Sequence, residues 1–174
     1  MERMHALGAA LAMVSASAGA TLPTPPQAAA TTQANAYIFH AGAGDVFEIT
    51  SSMILLQKSQ NPAVRSYATM LIDHHTQTTN LTLATAKSAG VMPPPPELSP
   101  QQKAQIGQLH AAPPAGIDRL YLAQQVPSHQ QALAINGGYA QSGDVPALRQ
   151  TAGSAVPIVT SHLQQAQQLL GTVR

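Results

Sequence analysis

The chain has no cysteine among its 174 residues. This absence excludes disulfide bonds, thiolate metal ligands and a lipid-bearing cysteine near the N-terminus. Tryptophan is also absent, and charged residues make up only 9% of the chain, with a net charge of +1. Because so few charges form no basic patch, we predict that nucleic acid is not a partner.

The N-terminal residues have the features of an export signal. Arg3 gives a weakly positive start, residues 6–17 are apolar or small, and Ala18-Gly19-Ala20 has the small-x-small form of a signal-peptidase site. The apolar run is too short to span a membrane, which takes about 20 residues. We expect residues 1–20 to be a signal peptide cleaved near Ala20. The mature chain, without a transmembrane segment or cysteines, is then expected in a bacterial periplasm or associated with the envelope.

The remaining sequence predicts a short tether followed by one helical domain. Residues 21–33 are rich in Pro, Ala and Thr without an apolar period, which predicts a flexible tether. Residues 34–171 carry four long helical patterns, over about 34–59, 62–90, 116–141 and 144–170. A short helix follows the proline-rich residues 92–97. We therefore predict an all-α, ferritin-like four-helix bundle with an extra short helix between the second and third long helices.

Local signals mark the predicted helix ends. Asn61 is a good N-cap, and Pro62 occupies the first helical position, where its missing N–H costs nothing. Ser99 begins a capping box for the short helix, and Gly90 is a suitable C-terminal glycine. Asp144 is predicted to cap the last long helix.

The first long helix carries two neighbouring stripes. One is a heptad-like apolar stripe, and the other consists of small residues around one carboxylate. The apolar stripe is Val46, Ile49, Met53 and Leu56; the small-residue stripe is Ala41, Gly44, Glu48, Ser51 and Leu55.

Each long helix places one ionisable residue on or beside its apolar face. These residues are Glu48, His75, His129 and His162. Measured from the helix connections at about 1.5 Å per residue, Glu48 and His75 differ in height by about 3 Å, and His129 and His162 by about 7 Å. All four are therefore predicted to lie near the middle of the bundle.

Three imidazoles and a carboxylate suit a transition metal such as Zn, Cu, Fe or Mn. A carboxylate-bridged di-iron centre is disfavoured, because the chain contains no Glu-x-x-His pair outside the predicted signal peptide, where Glu2 and His5 have that spacing. The alternative is a structural network in which each buried histidine is satisfied by polar neighbours. The sequence leaves both interpretations open and supplies no substrate, so it does not decide whether the protein is an enzyme.

Several segments, in this order, resemble the bacterial family called "domain of unknown function 4142". They are Asn61-Pro62-Ala63-Val64, Asp73-His74-His75-Thr76, Ile117-Asp118-Arg119-Leu120-Tyr121, His129, and Pro157 followed by His162-Leu163. The resemblance covers about residues 34–170. It implies an exported protein with a ferritin-like helical bundle and leaves the activity open.

The family pattern corresponds here to Glu48, His75, Asp118, Tyr121, His129, Pro157 and His162. One departure is His74, which stands where the family pattern has an aspartate. Under the metal hypothesis, His74, Asp118 and Tyr121 are expected to support the metal ligands or to replace one of them. The two hypotheses are thus a transition-metal site, or a non-enzymatic envelope stress or interaction module with unknown protein partners.

Overall fold

The computed structural model describes residues 23–173, and within them the chain is helical without any strand. The predicted signal peptide, residues 1–20, lies outside the described residues. After a 3-10 helix, Gln27–Thr31, come five α-helices: α1 Ala34–Lys58, α2 Pro62–Ser88, α3 Pro100–Ala111, α4 Ile117–Ser142 and α5 Pro146–Thr172. The predicted four-helix bundle with an extra short helix is confirmed. None of the helices described is both long and apolar enough to cross a membrane.

The helix boundaries follow the local signals. The Asn61 side chain accepts hydrogen bonds from the first-turn amides of α2, and Pro62 opens that helix. Ser99 and Gln102 form the predicted capping box at the start of α3. Gly90 follows α2 with φ +71°, a conformation that favours glycine.

Asp144 caps a different helix from the one predicted. The residue that precedes α5 is Val145, which makes no side-chain cap, and Pro146 begins the helix. The Oδ1 atom of Asp144 instead accepts hydrogen bonds from the Ala34 amide and the Tyr139 hydroxyl, each at 2.9 Å. The prediction was wrong because Asp144 satisfies a free amide at the start of α1, 110 residues earlier in the chain.

The segment that precedes α1 packs against the bundle. Ala30 is fully buried, and His40 of α1 bonds the carbonyl of Pro25 at 2.8 Å. Thr31 lies over Gly138 of α4, where an added Cβ would come within 2.5 Å of the threonine methyl. Small side chains thus allow residues 27–31, within the predicted tether, to pack closely against α1 and α4.

The buried face of α1 is the small-residue stripe. Glu48, Ser51 and Leu55 are buried, whereas Val46 and Met53 of the apolar stripe are 40% and 55% exposed. Of the apolar stripe, Leu56 packs against the core, but Val46 and Met53 do not, although the spacing of the stripe is typical of a packed helix.

Two hydrophobic clusters form the core, and a polar layer separates them along the bundle. Along all four long helices, the ionisable residue lies in sequence between members of the two clusters. One cluster includes Leu55, Leu71, Leu122 and Ala166; the other includes Tyr37, Ala86, Ile135 and Ala152. The candidate site is thus enclosed by apolar packing above and below.

Candidate metal centre

Four long helices each contribute one side chain to the polar layer. Glu48 of α1, His75 of α2, His129 of α4 and His162 of α5 are at most 4% exposed. The three imidazole rings form a nearly equilateral triangle with centroids 5.3–5.8 Å apart. One nitrogen from each ring lies within 4.8 Å of the other two. The structure therefore brings the four residues predicted as ligands together in one layer.

One atom of each of these side chains is buried without a hydrogen-bond partner. These atoms are Glu48 Oε2, His75 Nε2, His129 Nε2 and His162 Nδ1. Glu48 Oε2 and His75 Nε2 lie 2.5 Å apart and form an ion pair when His75 is protonated, whereas His129 Nε2 and His162 Nδ1 have no polar partner. Buried polar atoms are nearly always paired, so this cluster of inward-facing atoms in one layer requires a physical explanation.

The other nitrogen of His75 and of His129 is held by the protein. His75 Nδ1 donates to Asp45 Oδ1 at 2.8 Å, and Asp45 also accepts a hydrogen bond from Thr79. His129 Nδ1 donates to the backbone carbonyl of Gln125 at 2.9 Å. Each bond places a proton on Nδ1 and directs Nε2 into the layer, and metal binding would displace the second proton that His75 carries without metal.

His162 is oriented by another histidine. Its Nε2 lies 2.8 Å from His74 Nδ1, and the two rings stack with centroids 5.1 Å apart. When His162 donates this proton, its Nδ1 lone pair is free, on the same pattern as the other two rings. His74 thus holds the His162 ring in place within the layer.

The Glu48 carboxylate is also anchored through one oxygen. Its Oε1 accepts a hydrogen bond from Ser128 at 2.7 Å and lies 3.5 Å from His129 Nδ1. The second oxygen, Oε2, is the inward-facing atom. Each of the four side chains therefore has one atom fixed by a neighbour and one atom that faces inward.

The ionisation of the cluster favours a cation. Burial opposes the Glu48 charge, but the nearby His129 and His75 rings outweigh it and lower the pKa of Glu48 to about 2. Burial likewise opposes a charge on His75, yet Glu48 and Asp45 raise its pKa to about 10. For His162, burial and the other two histidines lower the pKa to about 3. Without a metal, one imidazolium thus balances part of the carboxylate charge.

The donor set fits a borderline divalent ion. Bonds of about 2.0–2.1 Å in a tetrahedral site place ligand atoms about 3.4 Å apart, which small side-chain movements can reach from the present spacing. Three nitrogens and one oxygen suit Zn, Cu, Fe or Mn, whereas Mg and Ca prefer oxygen ligands.

Two residues implied by the family resemblance lie away from this layer. Tyr121 and Asp118 precede His129 on α4 by 8 and 11 residues, or about 12 and 16 Å of helix. The Tyr121 hydroxyl lies 2.7 Å from Ser52 Oγ, and one Asp118 oxygen is buried and unpaired. Neither residue is positioned to be a ligand.

The sequence interpretation missed three supporting residues: Asp45, Gln125 and Ser128. Asp45 lies three residues before Glu48, and Gln125 lies four before His129, so helical spacing places each beside a predicted ligand. That spacing is the signal by which they could have been found. Ser128 gives no such signal, because it is the immediate neighbour of His129 and bonds a carboxylate on another helix.

Comparisons with known proteins agree with this fold. A crystal structure of a DUF305 fragment from Deinococcus radiodurans superposes with a TM-score of 0.72 at 19% identity, over 87% of this chain and 100% of that one. No curated protein matches the sequence. The family described as a domain of unknown function (DUF4142) matches residues 10–169. This chain therefore belongs to the DUF4142 family, as its sequence motifs had indicated.

Proposed function

We propose that this protein binds one divalent transition-metal ion, Zn, Cu, Fe or Mn, through Glu48, His75, His129 and His162. The observation that carries the proposal is the set of four buried, inward-facing atoms described above, one from each long helix. A single ion in the layer would satisfy all four of them.

A purely structural polar network accounts less well for the geometry. Each buried donor or acceptor without a partner costs about 1–3 kcal/mol, and a domain is stable by only about 5–15 kcal/mol in total. A buried network is therefore favourable only when its members are satisfied. Here the outer atoms of the rings are satisfied, the inner atoms of His129 and His162 are not, and the Glu48–His75 contact is satisfied only when His75 is protonated.

A bound ion would supply Lewis acidity and, in the case of Cu, Fe or Mn, a change of redox state. The chain's own part is to hold the ligands in place. Asp45, Gln125 and His74 each fix one imidazole ring, and Ser128 fixes the carboxylate. The site is thus held by groups on three of the helices that supply ligands. We further propose, from the character of residues 1–20, that it operates outside the cytoplasm.

The test is the thermal stability of the protein with added metal and with a chelator at neutral pH. Free metal at about 100 times its dissociation constant stabilises a protein by about 2.7 kcal/mol, or about 5–10 °C for a domain of this size. We expect that increase in the wild type for at least one of the four metals. His129→Ala and His162→Ala should abolish it.

His110→Ala is the matched control, because His110 is exposed at the end of α3. This variant should keep the full metal response. If chelator and metal leave the wild-type melting temperature unchanged, the histidines form a structural network. The alternative of an envelope stress or interaction module would then stand.

A further inference from the structure

A narrow cavity lies against the candidate metal centre. Its volume is about 90 Å³, and Glu48, His75 and His162 contribute to its wall. Along the bundle it reaches Tyr37 and Asn136, so its outermost α1 positions, Tyr37 and Glu48, are 11 residues apart, or about 16 Å. One water needs about 10–15 Å³ of such space, so the cavity has room for several.

Small side chains leave this space open. Ala41 and Gly44 of α1, Ala132 of α4 and Ala155 of α5 line the cavity. A glycine inside a helix costs about 1 kcal/mol relative to alanine. At Gly44 this cost has no packing reason, since an added Cβ would meet no atom within 4 Å. The consequence of glycine at this position is free volume one turn from Glu48.

At two other helical glycines, a neighbouring segment packs so closely that a side chain would collide with it. At Gly42, on the same helix, an added Cβ would lie 3.2 Å from Pro96. At Gly138 it would lie 2.5 Å from Thr31. Gly44 differs from both, because its missing side chain borders a cavity and not a neighbouring segment.

The cavity reaches the surface between α2 and α5. Leu81 of α2 and both Ser154 and Ile158 of α5 line it and are also exposed. The cavity is therefore open toward solvent on this side of the bundle. A ligand added from it would expand the four-residue site to five-coordination, which zinc sites can adopt.

We propose that this cavity binds a small neutral molecule beside the metal, as an additional ligand of the ion. The inference rests on the proposed metal function. The carboxylates of Glu48 and Asp45 already balance a divalent ion, and no lysine or arginine lies among the described residues of the cavity wall. An anion would thus bring an uncompensated charge into a buried space. The wall instead has neutral hydroxyl groups near the candidate ligands, on Thr78, one turn from His75, and on Ser128, which bonds Glu48.

The test uses cobalt(II) as the metal, because its visible absorption changes with coordination number. Nitric oxide, a neutral diatomic molecule, is added to the cobalt-loaded full chain without oxygen. We expect a spectral change in the wild type. In Gly44→Leu, where the new side chain would fill the cavity, cobalt should bind as in the wild type and the response to nitric oxide should be lost.

Gly137→Leu is the matched control, since Gly137 is also in a helix, has free space at its Cβ and does not line the cavity. It should respond like the wild type. Azide is anionic, so its half-saturating concentration should be at least about tenfold higher than that of nitric oxide, a difference of about 1.4 kcal/mol.

The outcomes separate the two proposals. If cobalt does not bind to the wild type, the cavity inference falls, and the metal function falls with it when Zn, Cu, Fe and Mn also give no thermal shift. If cobalt binds but nitric oxide gives no change, or gives an equal change in Gly44→Leu, only the cavity inference is overturned. Azide binding as strongly as nitric oxide would overturn the neutral ligand class.

Discussion

Replacing Asp45 by asparagine tests how the site prepares its ligands. The Asp45 carboxylate holds His75 Nδ1 at 2.8 Å, which keeps the proton on that nitrogen and increases the electron density at Nε2. Asparagine has the same shape, and its oxygen can still accept from His75. The substitution therefore removes the charge and leaves the side-chain geometry almost unchanged.

We expect Asp45→Asn to weaken zinc binding by about 10- to 100-fold, the usual effect of removing the partner of a metal-binding histidine. This corresponds to about 1.4–2.7 kcal/mol. The dissociation constant is measured by competition with a chromophoric chelator at neutral pH. His75→Ala should weaken binding further, because it removes a ligand and not the ligand's partner.

Asp73→Asn is the control, as Asp73 is an exposed carboxylate on the same helix as His75. Its zinc affinity should stay within about twofold of the wild type, because exposed charges interact weakly through solvent. Equal affinities of Asp45→Asn and the wild type would refute the reasoning, since His75 would then not bind metal through Nε2 with Asp45 as its support.

The remaining predictions concern stability without metal. The chelator-treated protein should have its highest melting temperature near pH 6.5. At lower pH His162 stays neutral in the fold, because its pKa is lowered to about 3, while the unfolded chain gains protons, so stability falls. At higher pH His75 keeps its proton in the fold, because its pKa is raised to about 10, while the unfolded chain loses a proton, so stability falls again. A flat pH profile from 5 to 8 would contradict this assignment of charges. Asp144→Ala should lower the free energy of unfolding in urea by about 1–2 kcal/mol, because Ala34 loses its cap. Asp144→Asn, which keeps an acceptor, should restore most of that loss, and equal losses in both variants would argue against the cap.

The helices and their order could be predicted from the sequence because their signals are local. Asn61, Pro62 and Ser99 act within one turn of their own position, so no knowledge of distant contacts is needed. The cap made by Asp144 joins residues 110 positions apart, and no local pattern reveals such a partner. The packing of residues 27–31 depends in the same way on Gly138, far along the chain.

The choice of the buried face of α1 shows a second limit. Val46 and Met53 have the right spacing for a core, yet they are exposed, because the facing helices present His75, His129 and His162 at that level. Glu48 is the side chain that complements those rings. A hydrophobic period describes a single helix. Which of two neighbouring stripes is buried depends on the residues that the opposing helices present.

The four candidate ligands could be predicted because each is the one ionisable residue that its long helix places on or beside its apolar face. Their heights along the bundle can be estimated by counting residues from the helix connections. The residues that hold the candidate ligands in place were partly predictable, because Asp45 has helical spacing from Glu48. The assignment of Asp118 and Tyr121 to the site came from the family resemblance alone, and their distance along α4 from His129 excludes them as ligands.

The metal content of the mature, untagged protein isolated from its native compartment tests the central claim most directly. Elemental analysis should find close to one transition-metal ion per chain in the wild type and none in the His75→Ala and His162→Ala variants. A wild-type protein without metal, which also shows no thermal shift with Zn, Cu, Fe or Mn, would contradict the account.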